Sequence, residues 1–505
     1  MTVKGPFPLI VVVAATLAVC SAQDSQVTVT PLWDRVVSVS KTTATLQVVV
    51  NPPLERGTPV HDNAFQALNQ LGADYVRYVP WLPYPKLGVA ELDPPQNGKT
   101  SWDFKLIDPM TVDFLDATTG HSVILNFSTI PQWMFKTDKP VAYPADPNQV
   151  TWDYEQGTEF RDPSMKEVAD YYARLLAWYT QGGFTDEYGE RHESGYHYKI
   201  AYWEVLNEVE FEHKMSPETY TRLYDAVVEA MQKVQPEMKF VGMALALPAE
   251  SPQFFDYFLN PKNHKAGIPL EWISYHFYAI PTADQSPEVQ QYTFFTQAEW
   301  FLKAVKYIEE IRKRLSPDTK TTIDEIGAIS ADDVAQAEPG HVAQPIPNSY
   351  WNLVSAMYAY IFGELTKAGI DVAGESQLVG FPTQFPSVTI VDWNTGKPNA
   401  RYWTLKLLKE SFGPGDKIVE VAPVSPFAPA HPYLYSLAVV TKQGRKRLLL
   451  VNKRDRTFEV SIAGATGGEV AYVDQTTAMN SPASARLDGD KLKMSGFEVA
   501  VVTLP

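Results

Sequence analysis

The sequence predicts an α/β chain: a (β/α)8 TIM barrel followed by a C-terminal all-β sandwich domain. Three observations predict it. Eight continuous apolar runs of strand length recur through the middle of the chain. Segments of helical periodicity separate them, and from about Gly413 the pattern changes to short strands bounded by turn residues. Parallel strands buried on both faces read as unbroken apolar runs, and a helix after each one is the repeat of a barrel.

The predicted barrel strands are TLQVVV (Thr45 to Val50), ADYVRYV (Ala73 to Val79), HSVILNF (His121 to Phe127) and KIAYWEVLNE (Lys199 to Glu208). KFVGMAL (Lys239 to Leu245), WISYHFY (Trp272 to Tyr278), TTIDEIG (Thr321 to Gly327) and DVAGESQLVG (Asp371 to Gly380) complete the set. No glycine-rich phosphate loop follows the first strand, which disfavours a doubly wound open sheet. Among the helices, DNAFQALNQLG places Phe65, Leu68 and Leu71 on one face and ends at Gly72. Ser164 to Glu167 reads as a capping box opening a helix through Trp178. Ser216-Pro217 starts another, with Tyr220, Leu223, Val227, Met231 and Val234 at helical spacing until Pro236. A further helix is read with Trp300, Ala304, Ile308, Ile311 and Leu315 on one face.

The accessory domain is read from YLYSLAVV, RLLLVNK, FEVSIAG, EVAYVDQ and FEVAVVTL, with turns at Lys442-Gln443-Gly444 and Gly467-Gly468. VTVTPLWDRVVSVS (Val27 to Ser40) precedes the first barrel strand and is expected to pair into that domain. The organisation expected is a signal peptide over 1–22, N-terminal strands over 23–43, the catalytic barrel over 44–413 and the β-sandwich over 414–505. The signal is read from one Lys, a short apolar run and the small residues Cys20-Ser21-Ala22. The run is too short to span a membrane. Cleavage after Ala22 would remove Cys20, the only cysteine, and leave an exported chain without a disulfide.

The net charge of −16 argues against a nucleic-acid partner and against docking on an anionic membrane. Aromatic content is high, at 12%, with 12 Trp and 26 Tyr. Most aromatics belong to cores, but flat rings also stack on sugar faces. The 9 histidines show no HExxH or similar spacing, so neither a metal nor another cofactor is expected.

In YWEVLNEVE (Tyr202 to Glu210) a core-bound strand stops on an amide and a carboxylate, Asn207 and Glu208. In a barrel, working groups sit at the C-terminal strand ends. The other ends offer Arg77, Asn126, His276, Tyr278 and, on strand seven, Asp324 and Glu325. Side chains alternate along a strand, so Asp324 and Glu325 are expected on opposite faces, one at the barrel axis. Two carboxyl groups suit glycosidic cleavage. One protonates the leaving oxygen; the other attacks or stabilises the cationic sugar.

WEVLNE (Trp203 to Glu208) resembles the W-E-x-x-N-E signature of clan A glycoside hydrolases, and most closely family 39, which contains β-xylosidases and α-L-iduronidases. The C-terminal β-domain joined by N-terminal strands is also similar to family 79. The resemblance implies Glu208 as acid/base, Asn207 as the preceding amide and Glu325 as nucleophile. It departs from the pattern at Val209, where proline is common, and at the end of strand eight, where Gln377 or Phe381 replaces a usual tryptophan. Arg77 is expected to brace the nucleophile, and Tyr278, with His276, to meet Glu325. Asn126, Trp81 and Trp133 are expected to bind sugar. The function expected is a secreted retaining glycosidase acting on a carbohydrate; the alternative is a non-catalytic carbohydrate-binding or wall protein on a hydrolase-like barrel. Inversion is distinguished from retention by carboxyl separation.

Overall fold

The computed structural model describes residues 27–138, 143–152, 157–282, 285–336, 338, 340–423 and 431–505. The expected signal segment and Cys20 lie outside the described residues. Eight parallel strands form a closed barrel: β1 (Thr43–Val49), β2 (Val76–Val79), β3 (Val123–Leu125), β4 (Tyr202–Glu204), β5 (Lys239–Leu245), β6 (Trp272–Ala279), β7 (Lys320–Ala328) and β8 (Val372–Glu375). Each pairs with its successor, and β8 closes on β1 through Val372 opposite Thr43. This is the predicted class, with all eight apolar runs in the barrel.

The helices follow the predicted periodicities with two differences. His61–Leu71 ends on Gly72, whose φ of 57° is left-handed and suits glycine. Pro217–Val234 is capped by Ser216, which accepts from Thr219 N at 3.2 Å. The capping box at Ser164 is not formed. That helix spans Lys166–Thr180, and Asp162 Oδ2 accepts from Glu167 N at 3.1 Å instead. Asp162 reaches the first turn because Met165 turns the chain through left-handed φ. The second difference lies in Pro287–Leu315. Trp300 is 62% exposed, whereas Phe294, Ala298, Phe301, Val305 and Ile308 are buried. The apolar stripe runs through Phe301, one residue beyond the tryptophan, and carries the helix face with it.

The C-terminal domain is two antiparallel-rich sheets, one of seven strands and one of three. N-terminal strands enter both. Val27–Val29 pairs in parallel with Phe458–Ile462, and Pro31–Val39 pairs antiparallel with Lys417–Val421. Helix Asn348–Ala368 is apolar on nearly every side because it lies between barrel and sandwich, packing on strands Leu434–Val440 and Lys446–Asn452. Gly363 permits this approach: a Cβ there would come within 2.4 Å of the Tyr435 hydroxyl. Among the described residues no helix is long and apolar enough to cross a membrane.

Candidate active site

The chain leaves β4 through a strained turn. Leu206 and Glu208 both have left-handed φ, 64° and 43°, at a cost of about 1–3 kcal/mol each. Hydrogen bonds hold the turn. Asn126 Nδ2 donates to Leu206 O at 2.8 Å, and Glu208 N donates to Ala244 O at 2.8 Å. The turn aims Asn207 and Glu208 into the barrel mouth. Asn126 therefore shapes the site from behind. It is fully buried, it also donates to Glu204 Oε2 at 2.6 Å, and it does not line the cleft, so its expected contact with sugar is corrected to a positioning role.

On β7 the alternation expected of Asp324 and Glu325 fails. The register with β6 shifts between Ser274 opposite Thr322 and His276 opposite Glu325, so one extra residue is accommodated on β7. Such a bulge breaks the two-residue period. Both carboxylates consequently reach the same guanidinium. Arg77 Nη1 meets Glu325 Oε1 at 2.5 Å, and Arg77 Nε lies 3.5 Å from Asp324 Oδ2. Arg77 also donates to Glu204 at 2.5 Å, Gln47 at 2.8 Å and Asn207 at 2.7 Å. The second oxygen of Glu325 accepts from Tyr278 Oη at 2.6 Å. Tyr278 is 2.6 Å from Ser376 Oγ, which accepts from Gln47 Nε2 at 2.6 Å. A closed circuit of Arg77, Gln47, Ser376 and Tyr278 thus surrounds Glu325 and fixes both its oxygens.

His276 joins the two catalytic candidates. Its Nδ1 lies 3.0 Å from Glu208 Oε1, and its Nε2 is 3.6 Å from Glu325 and 3.5 Å from Asp324. Burial disfavours the charged ring, but Glu325, Asp324 and Glu208 overcome it and hold the imidazole well above its usual range. Beneath them Glu204 is pushed up to about 7, by burial and by Asp324 against the opposing pull of Arg77. Asp324 moves the other way: burial would raise it, but Arg77 and His276 hold it low. The buried floor therefore places the cations Arg77 and His276 beside the ionised Asp324.

Above this floor opens a cleft of about 700 Å³ lined by Gln47, Trp81, Asn207, Glu208, Glu212, Tyr278, Glu325 and Gln377, with apolar walls beyond. Glu208, Glu325, Asn207, Tyr278 and Trp81 are on its surface. Arg77 and His276, expected to brace and meet Glu325, stand behind the carboxylates in contact with it and do not line the cleft. Trp133 is also absent from the lining. Its indole donates to Glu91 O at 2.9 Å and carries Arg161 on its face at 4.6 Å, which commits it to loop packing. Of the residues expected at the end of β8, Gln377 lines the cleft and Phe381 does not.

Four members of the site were missed in the sequence. Gln47, Glu204 and Ser376 are polar residues at or within apolar strand runs, and that interruption is the signal that would have found them. Glu212 carries no such signal, because it lies in a loop after two other acidic residues, Glu208 and Glu210. It accepts from Trp81 Nε1 at 2.7 Å and Asn207 Nδ2 at 2.9 Å. Burial and the charge of Glu208 raise it well above the usual carboxyl range, which favours its neutral form.

Ligand atoms of Glu208, His276 and Glu325 lie within 4.8 Å of one another, the described grouping that could hold a metal ion. The same spacing sets two carboxyl groups on either side of one scissile bond.

No curated protein sequence matches the chain. Solved structures share its architecture. A family 51 arabinofuranosidase from Xanthomonas axonopodis pv. citri matches at TM-score 0.62 and 12% identity, over 95% of this chain and 100% of that one. A family 39 β-xylosidase from Caulobacter crescentus matches at 0.58 and 14%, over 94% and 99%. The catalytic domain of a family 30 xylanase C from Talaromyces cellulolyticus matches at 0.58 and 10%, over 95% and 100%. Residues 434–502 match the C-terminal immunoglobulin-like domain of D-apionate lactonase. The family profile for glycosyl hydrolases family 39 matches residues 20–344, more than half of the sequence, and the chain belongs to that family of glycoside hydrolases.

Proposed function

We propose that the protein is a retaining O-glycosidase working by double displacement. Glu325 attacks the anomeric carbon while Glu208 protonates the departing glycosidic oxygen. Glu208 then takes a proton from water, which releases the sugar from Glu325. The observation that carries this reading is the approach of the two groups, an oxygen of each within 4.8 Å of the other. Retention needs carboxyl groups about 5–5.5 Å apart, whereas inversion leaves roughly 6.5–9.5 Å for a water.

The surroundings suit the assigned roles. Arg77 and Tyr278 hold both oxygens of Glu325, so the attacking carboxylate is oriented before the sugar arrives. Asn207 turns its amide nitrogen toward the cleft side and leaves a second N–H for a sugar hydroxyl. Such contacts strengthen as the oxocarbenium-like transition state forms. The proposal includes export, on the N-terminal signal read in the sequence; the N-terminal residue of protein recovered from the medium checks that part.

The test is stereochemical. Aryl glycosides differing only in the sugar identify a substrate, and proton NMR of the first product gives its anomer. Retained configuration, with a 2-deoxy-2-fluoro analogue trapped on Glu325, is expected. An inverted first product, or the label on Asp324, overturns the assignment. Glu325→Ala should lose several orders of magnitude in turnover.

A further inference from the structure

The groups around the proton donor describe the leaving group, because the donor must touch the glycosidic oxygen. Four consecutive barrel loops each place one exposed apolar side chain on the cleft: Phe211 after β4, Leu247 after β5, Ile280 after β6 and Val334 after β7. Phe211 is 61% exposed and Val334 66%, values that soluble surfaces usually avoid for neighbouring apolar groups. Two of them are tied through their backbones to the donor's own loop. Phe211 N bonds to Glu208 O at 2.8 Å, and Leu247 N is held by Glu210 Oε1 at 2.8 Å. Ile329, Phe385 and Trp152 continue the apolar wall inward.

Two polar groups of the cleft wall are already engaged within the protein. Asp333 accepts from Ser387 N at 2.9 Å and Ser387 Oγ at 2.5 Å, and Gln336 Oε1 accepts from Phe385 N at 2.6 Å. A sugar in this position would lose hydration and find few partners, at a cost for every unpaired hydroxyl. Charge narrows the choice further. Among the described lining residues there is no Lys, Arg or His, while Glu208, Glu212, Glu325 and Asp333 all face the cleft. An anionic substrate would find no cation on the cleft surface to offset these carboxyl groups.

We infer that the enzyme takes a neutral glycoside whose leaving group is an extended apolar alcohol or phenol, seated on Phe211, Leu247, Ile280 and Val334. This rests on the glycosidase reading. The apolar rim belongs to the same cleft as the catalytic carboxylates, and Phe211 is bonded through its backbone to the proton donor Glu208. An uncharged alkyl or aryl aglycone fills it without a buried unpaired group.

The test uses n-alkyl glycosides of whichever sugar the aryl panel selects, with methyl, butyl and octyl chains, beside oligosaccharides and a uronide. The alkyl alcohols differ little in acidity, so the chain reports contact alone. For the full-length enzyme kcat/KM should rise by about fourfold for each methylene the cleft buries, until the rim is covered. Phe211→Ser with Leu247→Ser should flatten that dependence, with the octyl-to-methyl ratio falling by tenfold or more; both side chains are exposed, so folding is spared. Ile280→Asn is a second, independent probe of the same slope. A flat or falling dependence on chain length overturns the proposal, as does a rate that climbs with added sugar units or a preference for the uronide. Turnover of short glycosides in those cases leaves the glycosidase reading standing. Absence of turnover on every glycoside overturns that reading and the inference together.

Discussion

The Asn207 amide is gripped at both ends, its Nδ2 donating to Glu212 Oε1 at 2.9 Å and its Oδ1 accepting from Arg77 Nη2 at 2.7 Å. An amide can flip at little cost unless its partners differ in kind. Here one partner is a cation and the other an acceptor, so only one orientation satisfies both. Glu212 also fixes Trp81 through the same oxygen, and its Oε2 has no protein partner.

Glu212→Gln should therefore stay close to the native enzyme, because the side-chain carbonyl can accept both bonds. Glu212→Ala should lower kcat/KM tenfold to hundredfold, as expected for about 1–3 kcal/mol of lost or unpaired hydrogen bonds. The loss should appear mainly in kcat, since the amide acts on the transition state. Burial and Glu208 raise Glu212 well above the usual carboxyl range, so its ionisation as pH rises adds a charge beside Asn207. The native enzyme should then lose activity while Glu212→Gln keeps it. Coincident alkaline limbs for the two proteins would exclude this role.

Arg77→Lys tests the floor. The guanidinium serves Glu325, Glu204, Gln47 and Asn207 at once from a fully buried position. A lysine ammonium cannot reach all four, and its point charge cannot reproduce the fork. Activity should drop at least a hundredfold, and unfolding should become easier by about 3–5 kcal/mol, the cost of breaking a buried ion pair. Denaturant titration beside kinetics separates the two effects.

Much of this was readable in the sequence, for definite reasons. The barrel announces itself because parallel strands must be apolar on both faces, and Glu208 stands out because a carboxylate ends one of them. What could not be read depends on geometry that periodicity does not encode. A bulge in β7 brought Asp324 beside Glu325, although strict alternation separates them. Asn126 looks like a cleft residue by its place at a strand end, yet the left-handed turn at Leu206 draws it underneath. Glu212 reaches the site only because that same turn folds its loop back over Asn207.

Stability should fall as pH rises, and Glu498 offers a measurement clear of the active site. It lies in the β-domain, 3% exposed, accepting from Ser495 N at 2.7 Å. Burial, reinforced by Asp474, pushes it from 4.5 up to about 7. Below about pH 4.5 the carboxyl is protonated in folded and unfolded chains alike. Between there and about 7 the unfolded chain releases its proton while the folded one keeps it, so the stabilisation is progressively lost. The gap between 4.5 and about 7, at about 1.4 kcal/mol per pH unit, amounts to roughly 3 kcal/mol. Glu498→Gln should match the native Tm at pH 4.5 and exceed it at pH 8. Parallel Tm curves for the two proteins would rule out the buried acid as a source of the alkaline loss.

Glu208→Ala is the variant that separates the two chemical steps. It removes proton donation from the first step and base catalysis from the second. A dinitrophenolate departs without a proton, so the first step should persist on that substrate and the sugar should accumulate on Glu325. Poor leaving groups, such as the alkyl alcohols, should show almost no turnover. Truncation also opens space beside His276, whose Nδ1 loses its partner 3.0 Å away. Azide is a small anion that needs no base, and the imidazolium held charged by Glu325 and Asp324 would draw it there. Added azide should restore turnover and give a glycosyl azide of the substrate's own anomeric configuration, because it enters from the face the leaving group vacated. Equal losses on good and poor leaving groups would remove Glu208 as the proton donor. An azide product of inverted configuration would remove the covalent intermediate on Glu325.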